Sequence, residues 1–137
     1  RKPLEFDFFS PPSFGSDDVI LVVEGKKVHV GKQFLAIHSP VFKTMFYGDF
    51  AEKNKKKIEL PGVEYQEFIE LLHVIYPSHR PVHMDTVMSV LELADRFEIK
   101  VALDRVESYL ITTSKLSISE KLLLADRYRL EMLTVRC

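Results

Sequence analysis

The side chains best suited to metal binding or nucleophilic chemistry are five histidines, His29, His38, His73, His79 and His83, and one cysteine, Cys137. Their spacing decides whether such chemistry is on offer. His79 and His83 stand four apart, a spacing that puts two imidazoles on one face only where the backbone is helical. Arg80, Pro81 and Val82 intervene, and proline breaks the helix the pair would need. They read as loop histidines. His38, beside Ser39 at a packed helix end, reads as a partly buried hydrogen-bonding residue. Cys137 has no base near it in sequence, and a single cysteine forms neither an internal disulfide nor a cysteine zinc site. No glycine-rich phosphate loop, HExxH or GxSxG run occurs. An enzyme needs one convergent polar site. Nothing in the chain assembles one, so the expectation is a non-catalytic protein with no metal and no cofactor.

The remaining charged features point the same way. Asp95-Arg96 and Asp126-Arg127 sit in two "ADR" runs, read most simply as helix-end ion pairs. Lys53, Lys55, Lys56 and Lys57 are placed to contact phosphate, but Glu52 and Glu59 flank them and no aromatic rings interleave for base stacking. A solvated loop leading into an edge strand fits them better, since edge lysines discourage strand-to-strand aggregation. A formal net charge of −1 gives no global field toward nucleic acid or anionic lipid. The longest apolar run, Val19 to Val23, has five residues, against the roughly 20 a membrane span requires. No signal or transit sequence is visible, and the sparse cysteine fits a reducing compartment, cytoplasmic and/or nuclear. The first residue is Arg1 rather than Met, as expected of a fragment.

These residues must be held by elements whose signals run along the chain. A length of 137 residues argues for one domain, and 46% hydrophobic residues suffice for a core. "LEFDFF" alternates Leu4, Phe6 and Phe8 with acids, the period of a strand with one buried face; "SPPSFGS" then breaks it. "DVILVV" reads as a buried strand. "EGKK" reads as a tight turn with Gly25 free to take positive φ, and "KVHV" returns, making a hairpin of residues 18 to 30. "KIEL", 57 to 60, is the expected third strand. "GKQFLAIH" and "SPVFKTMF" are two short helices with a sharp joint, Ser39 as N-cap and Pro40 at the first helical position. Val41, Phe42, Met45 and Phe46 share a face of the second, and Gly48 is its natural stop. From Glu64 to Tyr76 the residues Tyr65, Phe68, Ile69, Leu72 and Tyr76 make one helical stripe.

The last third repeats. "LELADRFEIKVAL" (91–103) matches "LLLADRYRLEMLT" (122–134) at an offset of 31. Each copy reads as a helix, a short break and a second helix, and Ser117 with Glu120 has capping-box spacing. Two copies are too few for a free-standing solenoid, so they are expected to pack as helical hairpins against the rest.

Taken in order, "DVILVV" with Asp18, Lys32 before "QFLAIHSPVFKTMF", "IELPGVEYQEFIELLHVIY" and "VLELADRFEIKVALDRVESYL" resemble the BTB/POZ domain from about residue 17 onward. The likeness is greatest to the BTB domains that follow a MATH domain in cullin-3 substrate adaptors. It implies an α+β fold: a small, mostly three-stranded sheet packed on a cluster of helices ending in helical hairpins, over residues 17–137. Residues 1–16 would then be a linker or an exchanged strand. It also implies a role bridging a substrate receptor to a cullin-3 ubiquitin ligase, with substrate held by a module outside these residues.

Cullin-binding members carry an apolar residue, any residue, then glutamate in the loop after the bent helix pair; Phe50, Ala51 and Glu52 fit that pattern. Phe50 would be an apolar anchor, Ala51 a slim spacer and Glu52 a polar orienter, beside a groove implied to come from Phe46, Leu72, His73 and Tyr76. By residue type alone, Phe50 equally suits folding back onto its own helix pair. The family usually forms homodimers, so the resemblance implies self-association as well as cullin-3 binding; Asp18 and Lys32 match a charged pair near that dimer interface, or else act as a strand-start cap and an ordinary helix charge.

Two departures stand out. Gly31 occupies a position where the family commonly has histidine. "FFSPPSFGS" cannot form the long first helix of many dimeric members, so Leu4, Phe6 and Phe8 would serve either as a strand exchanged with a second copy or as part of a tail. The alternatives are a scaffold or corepressor-type oligomerisation module without cullin binding and, less in keeping with "AIHSPVF", a channel-type tetramerisation domain.

Overall fold

The computed structural model describes residues 18–48, 57–76, 81–113 and 115–136. Strand β1, Asp18–Val23, sits in the middle of a three-stranded sheet of order β2-β1-β3. Its central place explains its unbroken apolar run: Val19, Leu21 and Val23 are fully buried. β2, Lys26–Gly31, pairs antiparallel with β1, and β3, Lys57–Glu59, pairs parallel with it, Leu21 opposite Ile58. A parallel pair needs a long crossover, and β2 with the bent helix pair supplies it. The hairpin turns on Glu24 and Gly25, with φ of 51° and 75°, the two left-handed residues of the turn type that suits the strands' twist. Glu24 also reaches outward: its carboxylate accepts from the Tyr65 N–H at 2.7 Å. Lys26 places its ammonium 4.6 Å from the centre of the Tyr65 ring.

Helices α1, Lys32–His38, and α2, Pro40–Tyr47, meet at Ser39 as the sequence implies. Ser39 is extended, with φ −140° and ψ 114°, and accepts from the Phe42 N–H at 3.1 Å. Its own hydroxyl donates to the Phe97 carbonyl, far along the chain. Gly48 ends α2 for a reason other than positive φ. Its φ is −70°, but a Cβ there would lie 2.6 Å from the Thr44 carbonyl oxygen.

The third helix, α3, Tyr65–Ile75, buries more than the expected stripe. Phe68, Leu71, Leu72, His73, Val74 and Ile75 are all enclosed, so its second half runs through the core rather than along its surface. Phe42 sits at the centre of that core. Phe97 stacks on it at 4.7 Å and Phe46 at 5.7 Å, while Phe68 meets it at 6.4 Å.

The repeat is real in three dimensions. α4, Val87–Arg96, and α5, Lys100–Thr112, form the first copy; α6, Ile118–Tyr128, and α7, Glu131–Arg136, form the second. Each first helix ends on a left-handed residue that is not glycine, Glu98 at φ 54° and Arg129 at φ 58°. In both, the next N–H closes back on an alanine carbonyl at 2.8 Å: Ile99 on Ala94, and Leu130 on Ala125. The buried rings Phe97 and Tyr128 hold equivalent places. Left-handed backbone costs a side-chain-bearing residue about 1–2 kcal/mol, partly offset by glycine's greater freedom when unfolded. Glu98→Gly is therefore expected to stabilise the fold by about 0.5–1 kcal/mol, read as a higher urea midpoint; a lower midpoint would contradict the strain at this turn.

The "ADR" arginines do not make the helix-end ion pairs expected of them. Arg96 donates to the Pro61 and Gly62 carbonyls, both at 3.0 Å, and lies 5.2 Å from the Phe97 ring centre. A guanidinium satisfies two backbone acceptors in the β3–α3 turn better than one solvated carboxylate satisfies it. Arg127 covers Tyr128 in the same manner, at 5.4 Å. The capping box forms in full: Ser117 and Glu120 bond each other's backbone N–H at 3.1 Å. Those bonds to Ser117 hold the Glu120 carboxyl below the ordinary carboxylate range.

Candidate partner-binding surface

A partner-binding site in this fold must come from side chains that the core leaves outside. Phe50, Ala51 and Glu52 belong to the connection between α2 and β3 and lie outside the described residues, as do Leu4, Phe6 and Phe8. What is described is the frame around that connection: it leaves α2 at Gly48 and enters β3 at Lys57. Its far end is tied to the sheet centre, because Leu60, just past β3, donates its N–H to the Val22 carbonyl at 2.9 Å.

The groove expected beside the motif is not open. Phe46 is 1% exposed, Leu72 0%, His73 5% and Tyr76 9%. Phe46 stacks on Phe42, and Leu72 and His73 belong to the enclosed half of α3. Tyr76 accepts the Gly31 N–H at 3.3 Å through its hydroxyl, and its ring lies 4.3 Å from that of Phe34. These four side chains hold helix to helix and helix to sheet, and so offer little surface to a second chain.

The surface apolar groups are others. Ile37 on α1 is 79% exposed and Tyr47 at the end of α2 is 46% exposed. Phe34 is half-buried, with the His38 ring edge-on at 4.8 Å. The signal for α1 was available: Leu35 is its one buried residue among seven, so Phe34 and Ile37, three apart, fall together on the side that Leu35 leaves. Asp18 pairs in register with Gly31, the residue before Lys32, which puts the predicted charged pair at one end of the hairpin, next to α1. The Asp18 side chain is outside what is described.

The described histidines do not gather. His29 lies on β2 opposite Ile20, His38 on α1 and His73 inside α3. His83 is exposed before α4, where its carbonyl accepts from Thr86 and Val87; His79 is outside the described residues. Among the described residues no three histidine, cysteine or carboxylate side chains group as metal ligands would. Burial pushes the Glu67 carboxyl up, and Glu64, Glu92 and Glu24 add to it.

A second apolar area lies on the helices of the second repeat copy. Ile118 and Leu122 of α6 are exposed, whereas the equivalents in the first copy, Val87 and Leu91, are buried.

Comparison with known proteins agrees with this architecture. The family profile described as "BTB/POZ domain" matches residues 13–114, so α6 and α7 lie beyond it. The chain is 44% identical over 129 residues to "BTB and MATH domain-containing protein 36" of Caenorhabditis elegans, an alignment covering 94% of this chain and 40% of that protein. It is 42% identical over 120 residues to "BTB and MATH domain-containing protein 38" of the same organism, covering 88% and 31%. This chain thus spans well under half of either relative. Among solved structures, the BTB domain of human Gigaxonin superposes with a TM-score of 0.56 at 26% identity, covering 67% of this chain and 75% of that one.

Proposed function

Because this chain belongs to the BTB/POZ family, a family of protein-interaction domains, we propose that it acts as an adaptor joining a substrate receptor to a cullin-3 ubiquitin ligase. The observation that carries this reading is the run Phe50-Ala51-Glu52 between α2 and β3, in a chain whose relatives combine this domain with a MATH domain. Phe50 serves as the apolar anchor and Glu52 as the orienting charge, with Tyr47 the nearest described apolar side chain exposed on the α2 side of the loop. The transfer chemistry belongs to other subunits, substrate binds through a module outside these residues, and the setting is the cytoplasm or nucleus. Truncating an anchor at the centre of an interface costs about 1–3 kcal/mol. Phe50→Ala should therefore weaken binding to the cullin-3 N-terminal domain by roughly that much in calorimetric titration, with the unfolding midpoint unchanged. Wild-type affinity in a folded Phe50→Ala protein would sink the assignment.

A second reading, a self-associating scaffold without cullin binding, draws on α1. Ile37 is a large aliphatic side chain left almost wholly in water, next to a half-buried Phe34. A second copy covering this face would remove that apolar area from solvent. Light scattering should then report a dimer that Ile37→Asp converts to a monomer. A wild-type domain that stays monomeric at high concentration rules the scaffold out. A dimer that ignores cullin-3 favours it over the adaptor.

A further inference from the structure

We draw no further inference here: the strongest candidate, the exposed apolar face that α6 and α7 present through Ile118, Leu122, Leu123, Met132 and Val135, carries nothing because nothing in the structure shows what covers it.

Discussion

Phe42→Ala is expected to destabilise the domain by about 3–5 kcal/mol, the range for emptying a large aromatic site in a packed core. The position meets the conditions for the upper part of that range. Phe42 is fully buried and touches three other rings, Phe46, Phe68 and Phe97, from α2, α3 and the turn after α4. Each neighbour belongs to the core, so collapse into the hole would have to move whole helices. A domain of this kind is stable by only about 5–15 kcal/mol in total, so the variant should unfold at a much lower urea concentration. Phe42→Leu keeps most of the volume and should lose clearly less, which separates cavity formation from failure to fold. A Phe42→Ala midpoint within error of the wild type would mean that these rings are not the core.

Ser39→Ala should cost about 2–4 kcal/mol, although it removes a single oxygen. That atom serves two purposes. As N-cap it satisfies the Phe42 N–H at the start of α2, and as donor it satisfies the Phe97 carbonyl. Ser39 is fully buried, so water cannot replace either bond. The loss of an N-cap is worth about 0.5–2 kcal/mol, and an orphaned buried acceptor adds about 1–3 kcal/mol. Ser117 is the internal comparison, a cap in the open at α6. Ser117→Ala should cost about 1 kcal/mol, because solvent can take over its bonds. Equal losses at the two serines, measured by urea unfolding, would show that the Phe97 contact contributes nothing.

Much of the fold was legible because its signals are local. Proline after serine specifies the joint between α1 and α2, an apolar run specifies β1, and the offset of 31 specifies two equivalent helical hairpins. The candidate site was less legible. Helical periodicity says which residues share a face but not whether that face looks inward. Phe46, Leu72 and Tyr76 carry the right side chains for a groove, yet Phe46 on α2, Leu72 on α3 and Tyr76 just past it all turn into the core and are used up there. Arg96 shows a related limit. A neighbouring aspartate in sequence suggests a partner, while two carbonyls more than thirty residues away take the guanidinium. Gly48 was placed correctly for a reason that only three dimensions supply, the closeness of the Thr44 carbonyl.

The hairpin turn carries a consequence for anyone redesigning this scaffold. Asn-Gly suits such a turn better than Glu-Gly, so a choice made on the turn alone would replace Glu24. Yet Glu24 supplies the acceptor for the first turn of α3, a helix that starts 41 positions later. Asparagine's shorter arm would give up that bond and leave the exposed N–H to water. What is second best for the hairpin also serves the distant helix, so a gain at the turn would be offset by the tie it gives up.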